Sequence, residues 1–185
     1  MTRYEYLFHT CEVLAGFAPE VANMAAAVLA HKQRYVKTVS GLNVPWYVLA
    51  GIHMMESSFR FDCHLHNGDP LTTRTVHVPR GRPRFGKPPY RWEVSALDAL
   101  EHAGLLSVHN WSLPVTLNML ERYNGLGYQK YHPTINTPYL WSMSNHYTSG
   151  KYGADGKFDP SLVSKQCGIA TLYKFLESQG VLTFV

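Results

Sequence analysis

One carboxyl group stands apart in this sequence. Glu56 is flanked by Ile52, Met54, Met55 and Phe59. Burying a bare carboxylate among such neighbours is costly, so the group must be paired, protonated or put to use. Apolar burial raises a carboxyl pKa, and the negative end of a helix dipole acts in the same direction. A carboxylic acid that stays protonated near neutrality can give its proton to a glycosidic oxygen as the bond breaks. The same pattern also arises from a glutamate that turns to solvent at a helix end, and on pattern alone the two readings weigh equally.

Glycoside cleavage by hydrolysis uses a second carboxylate, and Asp62 and Asp69 are the candidates. Asp69 closes the turn His66-Asn67-Gly68-Asp69-Pro70, from which it could be carried back across a cleft toward Glu56. A plain turn aspartate would look the same. Asp62 reads as a turn or cap residue. The Tyr123-Asn124-Gly125 triplet offers an aromatic ring and an amide for a sugar, or simply a helix stop.

A rival chemistry sits in the histidines and cysteines. Cys63, His64 and His66 lie close together, with His53 one turn before Glu56 and His77 beyond. These are zinc-ligand types, but no complete motif such as H-E-x-x-H is present. A zinc peptidase is therefore the weaker reading, and no metal or other cofactor is expected.

The composition is compatible with a glycan-binding domain. Hydrophobic residues make up 45% of the 185 positions and charged residues only 16%. Aromatic, histidine, asparagine and threonine side chains replace the missing charges. The net charge is +4, concentrated in Arg74, Arg80, Arg82, Arg84, Lys87 and Arg91. That stretch suits an anionic wall polymer as well as it suits nucleic acid. Its prolines, and the lack of any known motif, argue against nucleic acid. Three cysteines without a close pair are no disulfide framework and fit synthesis in a reducing cytoplasm. No signal peptide is expected in the N-terminal stretch, and no apolar run is long enough for stable membrane insertion.

The elements that must position these residues are mostly helical. Apolar spacing predicts helices over 4–14, from Pro19 to about Thr38, from Pro45 through Glu56, over 93–102, and from Ser112 to Gly125. A short helix over 139–146 and a last one over 161–177 complete the set. Alternation around Thr73, Thr75 and His77, set between turn signals, predicts a small β-hairpin or sheet after the central helix. Positions 148–160 read as an exposed hairpin or loop. The expectation is one mainly helical α+β domain over 1–185, with an N-terminal helical part (1–43) and a core (44–185).

Several of these segments carry a resemblance. Glu56-Ser57 at the end of an apolar helix resembles the Glu-Ser signature of goose-type lysozymes and lytic transglycosylases, and Asp69 follows at a spacing similar to that of an aspartate in the former. Glu121-Arg122-Tyr123-Asn124-Gly125-Leu126-Gly127 resembles the cleft-lining Ala-Tyr-Asn-x-Gly motif of that group. The stretches 65–71, 75–79, 139–142, 144–147 and 164–168 resemble stand-alone lysozyme-like proteins of phages and bacteria, including phage endolysins. The Gly-Leu-Met-Gln motif usual after Glu-Ser in transglycosylases is missing, and the basic 73–83 segment takes its place.

The resemblance implies a lysozyme-like fold and cleavage of the β-1,4 bond between N-acetylmuramic acid and N-acetylglucosamine. It implies Glu56 as general acid and Asp69 as the group that orients water or steadies positive charge. Ser57, His66, Thr73, Tyr123 and Asn124 would position the glycan. The expected partner is the peptidoglycan strand, with no nucleic acid, and the protein is expected to act as a monomer. Made in the bacterial cytoplasm, it would reach the wall only after release by a holin, by lysis or from a phage particle. A lytic transglycosylase with the same Glu56, or a wall-binding module without activity, remains open.

Overall fold

The structure is a computed structural model that describes residues 1–153 and 156–184. Its elements, in chain order, are α1 (Arg3–His9), α2 (Ala18–Thr38), α3 (Trp46–Ser57), α4 (Trp92–His102), α5 (Leu113–Asn124), α6 (Gly127–Tyr131), α7 (Pro138–Trp141), β1 (Lys151–Tyr152), β2 (Phe158–Asp159) and α8 (Ile169–Ser178). The chain is thus mainly helical with one small antiparallel sheet, in which Lys151 faces Asp159 and Tyr152 faces Phe158. Among the described residues no helix is long and apolar enough to cross a membrane.

Backbone packing divides the chain into two units, one of residues 1–26 and 112–185, the other of residues 27–111. In the first unit α1 packs on α5 and α7 on α8. Phe8, Leu117, Leu120, Trp141, Leu172 and Tyr173 are buried there. The chain after α1 is tied to the segment after α7: Leu14 N–H donates to Met143 O (3.1 Å), and Asn145 Nδ2 donates to Thr10 O (2.9 Å).

In the second unit α3 is the central helix, buried from Val48 through Met54. Pro45 forms its N-cap rather than its first turn, with extended backbone (φ −65°, ψ 142°). Tyr35, His53, Phe61 and Trp92 form an aromatic cluster on it, with the Arg34 guanidinium 3.8 Å from the Phe61 ring centre. His53 is fully buried. Its Nε2 donates to Arg60 O (3.0 Å) and its Nδ1 accepts from Tyr35 Oη (3.0 Å), an arrangement that a neutral ring satisfies completely.

Three expectations need correction. No β-hairpin follows the central helix; residues 58–91 are irregular, with a single bridge between Cys63 and Pro70. The alternating residues do not pair because their donors are used locally. The N–H groups of Val76 and His77 go to the Asp69 carboxylate, and those of Gly81 and Arg82 go to Thr75. Pro79 and Pro83 have no N–H to offer a ladder. Helix α1 ends at His9 rather than near Leu14, because Thr10 caps it and 12–14 pairs with 143–145. Helix α8 starts at Ile169 rather than Ser161, since Ser161 closes an Asx turn on Asp159 (2.8 Å).

Candidate functional site around Glu56

Glu56 lies half-buried in the last turn of α3, a helix whose other late residues are mostly buried. Two consecutive non-glycine residues close that helix in the left-handed region, Ser58 (φ 50°) and Phe59 (φ 63°). Each costs on the order of 1 kcal/mol there. Their N–H groups cover the carbonyls of Met54 (3.2 Å) and His53 (3.4 Å), which ends the helix sharply. The Ser57 side chain is turned inward, within 3.3 Å of Arg60 O and 3.5 Å of His53 O. Its geometry is that of a helix-end packing group.

The chain then folds back on itself. His64 N–H donates to Asp69 O (2.6 Å), Gly68 N–H to His64 O (2.9 Å) and Leu71 N–H to Asp62 O (3.0 Å). Asn67 Oδ1 accepts from Asp69 N–H (3.0 Å). Gly68 (φ 78°) presses on the end of α3, where a Cβ at this position would stand 2.9 Å from Glu56 O. The 67–69 turn is therefore set against the backbone of Glu56 itself.

Asp69 is 6% exposed. Its Oδ2 accepts from Val76 N–H (2.8 Å) and His77 N–H (3.0 Å), and its Oδ1 meets His77 Nδ1 (2.6 Å). Burial pushes its pKa up, but the backbone and side-chain hydrogen bonds of His77 and that of Val76 outweigh it and hold the group at about 2. The carboxylate is ionised, and it ties the 75–78 loop down. Asp62 is exposed beside Arg60 (3.3 Å).

His66 is also structural in its contacts. Its side chain is 1% exposed, and Nε2 lies 2.8 Å from Asp98 Oδ1. The same Asp98 oxygen takes Arg82 Nε (2.8 Å), and Oδ2 takes Arg84 N–H (3.2 Å). Burial lowers the His66 pKa to about 4 in spite of Asp98. Loss of hydration outweighs the Asp98 carboxylate, and the nearby His64 and Arg82 push the same way as burial to a lesser extent. The neutral ring donates from Nε2 and leaves Nδ1 as a bare buried acceptor. His64 spends both nitrogens, on Ser95 Oγ (2.7 Å) and Thr73 O (2.8 Å). Thr73 itself is exposed.

Glu56, Ser57, His66, Asp69 and Thr73 thus belong to one unit, the last four on the loop and helix end that surround Glu56 in the chain. Tyr123, half-buried, and Asn124, exposed, end α5 in the other unit, followed by Gly125 at φ 103°. Among the described residues no three His, Cys, Asp or Glu side chains gather as a metal site. His53 and His64, two of the zinc candidates, have both ring nitrogens engaged by protein groups.

Two acids, half-buried Asp98 and buried Glu121, escaped the sequence reading as individuals. Asp98 lies between Ala96-Leu97 and Ala99-Leu100, the same lone-acid-in-apolar-helix signal that marked Glu56. Glu121 is 6% exposed and had been read only as the first residue of a motif. The basic run is also smaller than its charge count suggests. Arg82 is buried on Asp98, Arg74 donates to Pro83 O and to Gly86 O (3.0 Å), and Arg91 lies 3.6 Å from Glu93. Arg80, Arg84 and Lys87 are left exposed beside Phe85 and Val78.

No protein-family model matches this chain, and neither a curated protein nor a solved structure matches it.

Proposed function

We propose that this chain is a peptidoglycan-cleaving glycosidase of the lysozyme-like class, with Glu56 as the general acid. The observation that carries the reading is the placement of Glu56: half-buried at the end of an otherwise buried helix, with the 67–69 turn packed on its own backbone. A proton donor needs a fixed position and a partly dry environment, and a rigid helix end offers both. Glu56 protonates the oxygen of the β-1,4 bond between N-acetylmuramic acid and N-acetylglucosamine. Exposed Thr73 is the group proposed to meet the glycan, and the exposed Arg80, Arg84 and Lys87 to meet anionic wall polymer.

In the hydrolytic version Asp69 orients the attacking water or steadies positive charge on the sugar. One observation favours a second version. Both Asp69 oxygens are already taken by three donors, so Asp69 is poorly set to activate water. A lytic transglycosylase needs no second carboxylate, because the substrate's own hydroxyl attacks.

Mass spectrometry of fragments released from purified peptidoglycan separates the versions. Reducing muramic acid ends identify a hydrolase, and 1,6-anhydro ends a transglycosylase. Glu56→Gln abolishes release in both while the fold is kept. Full activity in that variant, or release of free peptides from intact glycan strands, would overturn the proposal.

A further inference from the structure

The first unit holds a cavity of about 290 Å³, bounded by Arg3, Tyr4, Glu121, Gln129, Asn136 and Trp141 with their neighbours on α1, α5, α6 and the chain before α7. By volume it has room for roughly ten waters, or for one small molecule. Two opposite charges share it. Glu121 is 6% exposed, and its Oε2 accepts from Tyr4 Oη at 2.7 Å. That phenol is in turn fixed by Gln129 Nε2 (2.9 Å) and Asn118 Nδ2 (3.4 Å). Arg3 is exposed at the rim, where its Nη2 donates to Asn136 Oδ1 (2.9 Å) and Pro133 O (3.3 Å).

These charges do not meet. No Lys, Arg or His among the described residues forms an ion pair with Glu121. A buried carboxylate ordinarily finds a cation, because leaving it unpaired is costly. Here the nearest cation in the cavity is held away by an amide and a carbonyl, while a neutral phenol takes one carboxylate oxygen. The amide hydrogens of Asn118 and Gln129 are directed to that phenol, which leaves their carbonyl oxygens as further acceptors. The cavity lining therefore combines acceptors around Glu121, the Arg3 guanidinium apart from them, and Leu7, Ile135 and Trp141 as apolar wall.

We infer that this cavity binds a small α-amino acid with an apolar side chain, its ammonium on Glu121 and its carboxylate on Arg3. The zwitterion completes the separated pair: the ammonium supplies the missing cation, and the carboxylate meets a fork suited to it. Its side chain covers Leu7 and Ile135. A neutral sugar would leave the Glu121 charge uncompensated.

The test is calorimetric and ligand-observed NMR titration of the full chain with leucine, methionine and phenylalanine. A ligand this small binds in the range of roughly 0.1–1 mM. Comparison compounds are 4-methylpentanoate, which lacks the amine, 3-methylbutylamine, which lacks the acid, and N-acetylglucosamine. At least one amino acid is expected to bind about tenfold more tightly than all three comparison compounds. Glu121→Gln and Arg3→Gln are each expected to weaken it by about tenfold or more. Arg3 is exposed, so Arg3→Gln keeps the test open if Glu121→Gln does not fold. The inference is overturned if none of the amino acids binds at 10-fold above that range, roughly 10 mM. It is also overturned if any of the three comparison compounds binds as well, or if Arg3→Gln binds unchanged. The readout is binding, independent of wall cleavage, so its failure leaves the glycosidase reading standing and the reverse.

Discussion

Two carboxylates thirteen positions apart have been given different work by their surroundings. Around Asp69 three N–H donors converge on a buried group and hold it ionised; Glu56 stands half-buried in the last turn of α3, beside the left-handed closure of that helix. Replacing each by its amide separates the roles. Glu56→Gln should leave the urea midpoint unchanged and remove wall cleavage. Asp69→Asn should lower stability by about 2.6 kcal/mol at pH 7, the value of a carboxylate held near 2 against an ordinary ~3.9. Because the native pKa is depressed, this contribution is present above about pH 4 and lost as pH falls toward 2. The gap between wild type and Asp69→Asn should therefore narrow on acidification in urea titrations. A constant gap down to pH 3 would mean that Asp69 stabilises by shape alone. The acid Asp98 is under a heavier load, since it neutralises buried Arg82 and holds His66. Asp98→Ala leaves Arg82 unpaired in the interior, and about 3 kcal/mol or more of stability should go with it, read as a fall in thermal midpoint.

Glycine 68 links the residue scale to the element scale, because the irregular 58–91 segment takes its shape from contacts of this kind. Gly68 sits at φ 78° with its missing Cβ 2.9 Å from Glu56 O, whereas Gly81 sits at φ 80° with open space around it. Gly68→Ala should cost about 2–4 kcal/mol, the left-handed penalty plus displacement of the α3 end, and should impair cleavage. Gly81→Ala should cost only about 1 kcal/mol and leave cleavage intact. Equal effects, measured by denaturation and fragment release, would show that the 67–69 turn does not bear on Glu56. The same segment marks how far the sequence could be read. Helices α2, α3, α4 and α5 announce themselves by apolar spacing, by Pro45 and by Gly125, because a helix satisfies its own backbone and needs little from elsewhere. The alternation at 73–78 was real but did not make strands, since strand formation depends on where distant donors and acceptors go. Here Asp69 and Thr75 claim the N–H groups, and Asp98 on α4 draws Arg82 inward. Glu56 and its neighbours could be singled out in the sequence; that Ser57 and His66 face inward, and that Asp69 is caged, depended on this tertiary pairing.

At the scale of the whole molecule the buried titratable groups are unevenly shared between the two units. The 27–111 unit holds His53 and His66, each lowered by burial to about 4, and Asp69 at about 2. A native pKa below the ordinary value stabilises above that ordinary value and is lost as pH falls through the native one. This unit should therefore lose stability between about pH 6.5 and 4 as the unfolded histidines take up protons, and again toward pH 2. Both units hold groups raised by burial, but the 27–111 unit has one such thiol, Cys63, besides Tyr35, whereas the other has two, Cys11, raised to about 11, and Cys167, raised to about 12, with Tyr128, raised to about 12. A raised pKa works the other way: its contribution is present below the ordinary value and lost as pH rises through the native one. Residues 1–26 and 112–185 should thus weaken from about pH 9 upward, where unfolded thiols ionise. Hydrogen exchange read peptide by peptide by mass spectrometry, with intrinsic rates corrected for pH, resolves the two edges. Protection in peptides from α3 and α4 should fall first between pH 6.5 and 4, and protection in α5 and α8 should fall first above pH 9. If both sets of peptides open together at each edge, the chain is one cooperative body and the buried groups act on it as a whole. If α5 and α8 open first in acid, the burial of His53 and His66 is not what sets the acid limit.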